Sequence, residues 1–225
     1  MDNLIREKID LLIKRYHCLE TCEKDIISAY EMMEKAYEGG HKLIIAGNGG
    51  SAADSEHIVG ELMKSFKTKR PVPSQLADKM RTIDSVRGPQ LAESLEMGLR
   101  AISLTNHPAL STAFINDVNG EFVFAQQLLG YGKSGDVFLG ISTSGNSRNV
   151  MNAAVVAKAM GIPIIGLTGE GGGELGGFAD VSVRVPETET YMVQELHLPI
   201  YHCWCLMLEE RFFGECSGKA AEEEK

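Results

Sequence analysis

Lys42-Leu43-Ile44-Ile45-Ala46-Gly47-Asn48-Gly49-Gly50-Ser51 (KLIIAGNGGS) decides the fold: a short apolar run, a glycine turn, then a helical pattern reaching to about Phe66. Five apolar-rich residues closed off by glycine are too few for a buried helix and read as a buried strand. Ser51 is expected to cap the helix that follows. The same unit recurs at Asp136 to Ile141 (DVFLGI), with the turn Ser142 to Asn146 (STSGN) and a helix from Ser147 to Met160. Further strands are read at Pro163 to Leu167, Val181 to Val185 and Ala101 to Leu104, with a glycine-rich loop from Gly169 to Gly177 and a closing helix from Thr190 to Phe213. Strands alternating with helices predict an α/β fold, a central parallel sheet covered by helices on both faces.

Working outward, apolar residues at helical spacing (Leu4, Ile5, Ile9, Leu12, Ile13, Tyr16, then Ile26, Ile27, Tyr30, Met33) predict an N-terminal helix pair within residues 1–40, stopped at Gly39-Gly40. Residues 64–100 break the alternation. They are polar, carry Pro71, Pro73 and Pro89, and read as a helical excursion over the sheet edge, long enough to shape a site. The basic residues Lys64, Lys67, Lys69 and Arg70 in it read as a solvated face, or as an attraction for an anion. The tail Gly218 to Lys225 is expected to fray. Residues 1–225 are read as a single domain bearing these additions.

The chain has 225 residues, 44% hydrophobic and 24% charged, with a formal charge of −9. The apolar fraction excludes global disorder, and the apolar runs are too short for a membrane-spanning helix. The acidic balance speaks against general nucleic-acid binding. Cys18, Cys22, Cys203, Cys205 and Cys216 are odd in number, with spacings that suggest no disulfide framework. With no signal-peptide pattern after Met1, reduced thiols in a cytoplasmic protein are expected.

Both strand-turn-helix units gather unpaired backbone N–H groups at a helix N-terminus, a place that binds anions without a cationic side chain. The second turn adds the hydroxyls of Ser142, Thr143, Ser144 and Ser147. In a parallel sheet both turns lie at the strands' carboxyl ends, and together they point to a phosphorylated ligand. Gly47, Gly49 and Ala52 match the dinucleotide fingerprint, but the next strand and its acidic terminus are missing, and no Gly-Lys-Ser/Thr follows the first turn. NAD and ATP are therefore set aside. His57 and Glu61, four apart on one helix face, suit a divalent ion such as zinc. Gln194, Glu195, His197 and His202 stand in the otherwise apolar last helix. Gln194 and His202 lie about 12 Å apart along an ideal axis. One ion sees both only through a bend, for which Pro199 is placed, or across a subunit boundary.

The block Ala46 to His57 with Glu61, the turn Ser142 to Ser147, Gln194-Glu195-Leu196-His197 with His202, and Asn116-Asp117 resemble the phosphoheptose isomerases of the sugar isomerase (SIS) family of phosphosugar-binding domains. The resemblance covers nearly the whole chain. It implies ketose–aldose isomerisation of sedoheptulose 7-phosphate to D-glycero-D-manno-heptose 7-phosphate through an enediol. It further implies zinc on His57, Glu61, Gln194 and His202, with Glu61 as base and His202 as the acid moving the oxygen-side proton. Ser142, Thr143, Ser144 and Ser147 would grip the phosphate, while Asn48, Gly49, Gly50, Ser51, Asn116, Asp117 and Gln194 would line the sugar. Members of the family are homotetramers with sites at subunit boundaries. Two features depart from the compact family pattern: the excursion at 64–100, which bears on the sugar accepted, and Pro199, which bears on the direction of His202. The alternatives are an SIS enzyme for another phosphosugar, or a non-catalytic SIS regulator resembling the protein that binds the bacterial replication initiator.

Overall fold

The computed structural model describes residues 2–214; the tail expected to fray and Cys216 lie outside the described residues. Five strands, β1 (Leu43–Ala46), β2 (Ala101–Ser103), β3 (Val137–Ile141), β4 (Ile164–Thr168) and β5 (Val181–Arg184), form one sheet in the order β2-β1-β3-β4-β5. All pairings are parallel, with Ile45 beside Leu139 and Ile141 beside Leu167. The chain leaves β1 to build β2 on one side and returns to build β3 on the other. The switch of direction therefore falls between β1 and β3, where open parallel sheets leave a crevice for ligands.

The pleat sorts the core into two layers. Leu43, Ile45, Leu139, Ile141, Ile165, Leu167 and Val183 face α1 (Asn3–Arg15), α2 (Glu23–Glu38), α3 (Gly50–Met63) and α10 (Thr190–Phe213). Ile44, Ala46, Phe138 and Ile164 face α7 (Val123–Tyr131), α8 (Arg148–Ala159) and α9 (Gly173–Phe178). The four residues of β1 are all buried, as a strand covered on both faces requires. The predicted stop after α2 forms as a left-handed cap. Gly40 takes φ +71°, its N–H reaches the Tyr37 carbonyl at 2.9 Å, and the His41 N–H reaches that of Ala36 at 2.9 Å. Trp204 on α10 donates its indole N–H to the Ile26 carbonyl at 2.9 Å, tying α10 to α2.

Several expectations need correction. Ser51 is not the cap of α3: the cap position is Gly49 at φ +56°, and Ser51 is buried inside the first turn. The second half of the loop from Gly169 to Gly177 belongs to the short helix α9, which ends at Phe178. Two helices, α6 (Pro108–Asp117) and α7, occupy a stretch to which the pattern assigned nothing. α6 buries no residue, so its sequence shows no core-facing stripe. The excursion resolves into α4 (Ser74–Ile83) and α5 (Arg87–Ser94), packed against each other. Its basic run is not all solvated, because Arg70 is fully buried against Glu209. α10 remains one helix through Pro199.

Candidate active site

The two anion turns meet at the switch point. Asn48 and Asn149 exchange side-chain amides across it, Asn48 Nδ2 donating to Asn149 Oδ1 at 2.8 Å and Asn149 Nδ2 to Asn48 Oδ1 at 2.9 Å. Ser142 Oγ and Ser147 Oγ lie 2.9 Å apart, and the Gly145 N–H closes the second turn on the Ser142 carbonyl at 3.0 Å. Gly145 has φ +68°, and a Cβ there would stand 1.9 Å from the Gly172 carbonyl oxygen, so only glycine lets this turn rest on the loop after β4. The cap residues Gly49 and Ser147 give no side-chain bond to the helices they open, although the Ser51 and Ala52 N–H groups turn back on the Asn48 and Gly49 carbonyls and Asn149 Oδ1 accepts the Val150 N–H at 3.0 Å. An anion at either N-terminus would meet the positive end of the helix dipole.

α3 and α10 lie side by side, and their contacts keep the same direction along both helices. Near the turn, the Gln194 amide lies over Gly50, where a Cβ would come within 2.5 Å of Nε2. Seven residues further along α3, His57 Nε2 lies 3.2 Å from Glu61 Oε1 and 3.5 Å from His202 Nε2, with the two imidazoles edge to face at 5.0 Å. Glu61 Oε2 is buried without a hydrogen bond, Lys64 Nζ being 3.6 Å away. His57 is the open member, its side chain 42% exposed against 14% for Glu61. Burial, reinforced by the neighbouring His57, holds the His202 pKa below the usual imidazole value.

His57, Glu61 and His202 are thus brought together, whereas Gln194 stays about two helical turns away beside the first turn. Asn116 and Asp117 sit exposed at the end of α6, hydrogen-bonded to each other at 2.8 Å, and α6 packs on residues 120–122 and α7. The cluster's chemistry suits a divalent ion. Two imidazole nitrogens and a carboxylate oxygen are zinc donors, and two donors of one tetrahedral ion lie about 3.4 Å apart, close to the separations found. The closed arrangement is absent: among the described residues no group of three or more His, Cys, Asp and Glu side chains forms a ready metal cluster.

Two further residues complete the cluster. Tyr201 Oη lies 3.0 Å from His57 Nδ1 and donates to Asp54 Oδ1 at 3.1 Å. Burial raises the Asp54 carboxyl above its ordinary pKa, and burial with the Asp54 charge raises the Tyr201 phenol. Asp54 stands one helical turn before His57, a spacing that could have marked it. His197, also singled out in the sequence, is fully buried away from this cluster, against the Thr168 backbone.

A parallel sheet whose switch point lies between two hydroxyl- and glycine-rich turns, with a His–Glu–His cluster beside it, defines an α/β protein with the makings of an anion site, and the chain belongs to the SIS domain family, whose model matches residues 9–91 and 85–169. Curated relatives matched over most of the chain carry the name phosphoheptose isomerase, and the chain is an isomerase enzyme. The chain is 36% identical to a phosphoheptose isomerase of Sulfurimonas denitrificans, covering 96% of this chain and 98% of the relative. It is 39% identical to phosphoheptose isomerase 2 of Campylobacter jejuni, over 80% of this chain and 77% of that one. Among solved structures, the phosphoheptose isomerase of Neisseria gonorrhoeae superposes with a TM-score of 0.70 at 29% identity, over 89% and 94% of the two chains. Among the described residues no helix is long and apolar enough to cross a membrane.

Proposed function

We propose that the chain is a metal-dependent ketose–aldose isomerase that converts sedoheptulose 7-phosphate to D-glycero-D-manno-heptose 7-phosphate. Support comes from the relatives' names, and from one observation above the others: Glu61 Oε2 is buried without a hydrogen bond, while Glu61 Oε1 lies 3.2 Å from His57 Nε2, which in turn lies 3.5 Å from His202 Nε2. A carboxylate oxygen not engaged by a hydrogen-bond donor is free to take a proton from a substrate placed against it. His57, Glu61 and His202 would hold a divalent ion, zinc first among candidates, whose charge would stabilise the enediolate oxygens. Glu61 takes the proton from the carbon next to the carbonyl and returns it to the former carbonyl carbon. His202, whose pKa burial holds below the usual imidazole value, accepts and gives back the proton that moves between the two oxygens. The Ser142, Thr143, Ser144 and Ser147 hydroxyls with the N-terminus of α8 grip the phosphate. Asn48, Gly49, Gly50 and Ser51 lie at the sugar together with the Gln194 amide, which as placed faces the first turn.

The same reading makes the protein a cytoplasmic homotetramer with sites at subunit boundaries. Two observations favour that assembly. α6 leaves Leu110 and Ile115 exposed with no buried residue to anchor it, and Asn116, Asp117 and Gln194 converge with the His–Glu–His cluster only by movement or from another copy.

The test is an NMR time course of zinc-loaded protein with sedoheptulose 7-phosphate in deuterated water. Aldose product with deuterium at the carbon next to the carbonyl is expected. Glu61→Gln should cut turnover by about 10²–10⁴-fold while phosphosugar binding persists. Chelation should abolish turnover and zinc restore it. A folded, zinc-loaded sample that neither isomerises the sugar nor exchanges its proton overturns the reading.

A further inference from the structure

We infer that Tyr201 and Asp54 form a relay that fixes the His57 ring in the tautomer whose Nε2 is free to bind a cation. The inference rests on the cation-binding role proposed above for His57.

A phenol has one proton to give. Tyr201 gives it to Asp54 Oδ1, at 3.1 Å. Toward His57 Nδ1, at 3.0 Å, the Tyr201 oxygen can then only accept. The ring proton is therefore held on Nδ1. The lone pair of Nε2 is left facing Glu61 Oε1 at 3.2 Å and His202 Nε2 at 3.5 Å. Two electron-rich atoms turned toward one another make a place for a cation, and His202 Nε2 adds a third donor when its own ring proton is on Nδ1.

Geometry holds the relay still. Tyr201 is 1% exposed, so its hydroxyl has no water to turn to. Asp54 sits one turn before His57 on α3, and its second oxygen is buried without a partner, so no other donor draws the carboxylate away. The Tyr201 and His57 rings pack edge to face at 5.5 Å and 73°, which sets the plane of the imidazole as well as its protonation. Outer partners of this kind typically tune affinity at a metal-binding histidine by about 10–100-fold. Tyr201 and Asp54 are positioning residues: neither lies against the Nε2 face where a cation would sit.

The experiment compares the full-length protein with Tyr201→Phe, which removes one oxygen from a packed ring, and with Asp54→Asn, which keeps an acceptor for the phenol. Nitrogen-15 NMR of the metal-free histidines is recorded at about pH 8, where an ordinary imidazole is neutral. Co²⁺ is then titrated calorimetrically. The wild type should show the His57 proton on Nδ1. Tyr201→Phe should move it largely to Nε2, toward Glu61, and weaken Co²⁺ binding by about 10–100-fold. Asp54→Asn should retain most of both properties. A folded Tyr201→Phe that keeps the proton on Nδ1 and binds Co²⁺ as the wild type does overturns the relay and reduces Tyr201 to a packing contact between α3 and α10. If the wild type itself binds no Co²⁺, the cation reading of the site falls. The tautomer of His57 in the two proteins then decides the relay by itself.

Discussion

Replacing Glu209 by glutamine should damage the protein out of proportion to a change of one atom. Glu209 on α10 and Arg70 in the excursion form an ion pair at 2.9 Å, with side-chain exposures of 3% and 0%. The carboxylate also accepts the backbone N–H groups of Phe66 (2.8 Å), Lys67 (2.9 Å) and Thr68 (3.0 Å). Arg70 in turn donates to the carbonyls of Leu62 (2.8 Å) and Glu61 (3.2 Å) and lies over the Phe213 ring at 4.7 Å. Glu209→Gln keeps the volume but turns one acceptor oxygen into a donor among N–H groups, and it leaves the guanidinium buried without a countercharge. Losing one partner of a buried pair costs about 3–5 kcal/mol. At this chain length that corresponds to a fall in Tm of about 6–20 °C. Urea unfolding at fixed protein concentration, with an unchanged slope, reads the loss directly. The backbone donors add a second expectation. An apolar swap of both partners often restores the stability of a buried pair. Here Arg70→Met with Glu209→Leu should still fall short of wild type by about 2 kcal/mol or more, because three N–H groups lose their acceptor. A loss below about 1 kcal/mol for Glu209→Gln, or full recovery in the double variant, would refute this account of the clamp.

Two further outcomes follow from groups elsewhere in the fold. Burial lowers the His197 pKa from 6.5 to about 4, so between those values the unfolded chain binds more protons than the folded one, and stability falls as the pH falls. The window amounts to about 3 kcal/mol at about 1.4 kcal/mol per unit; urea unfolding at pH 7 and pH 4.5 should show His197→Leu losing clearly less than wild type, and equal losses would rule the ring out as the cause. Gly145→Ala forces a side chain into φ +68° and against the Gly172 carbonyl, so it should cost at least about 2 kcal/mol and weaken phosphosugar binding, as read by thermal unfolding with and without the sugar phosphate.

The strands and their parallel direction were legible because each buried strand is a short apolar run closed by a glycine or hydroxyl turn; the order β2-β1-β3-β4-β5 was not. α6 was not legible. A helix that buries nothing has no reason to show a core-facing stripe, and Pro108 to Asp117 shows none. α9 was hidden by the glycines around it. In the site, the His57–Glu61 spacing is local and could be read. The approach of His202 depends on how α10 lies along α3, which no spacing encodes. Tyr201 looked like one more apolar residue of that helix. The Arg70–Glu209 pair spans 139 residues, so a basic run that reads as a solvated face turned out to include a buried anchor. The place of Gln194 is also a matter of packing: eight residues of unbroken helix keep it from His202, and Pro199 does not close the gap.

Gly50 bears on which sequences of this kind can persist over time. Its φ is not positive, so the backbone would accept any residue there, and as the first residue of a helix it would be steadier as alanine. What stands in the way is the movable end of the Gln194 side chain. Random drift filtered only for folding would fill position 50 and push that amide aside at little expense. A glycine kept at position 50 in a population of such genes would therefore record selection on where the Gln194 amide points, and a lineage in which position 50 has gained a side chain would be one that had already ceased to use it.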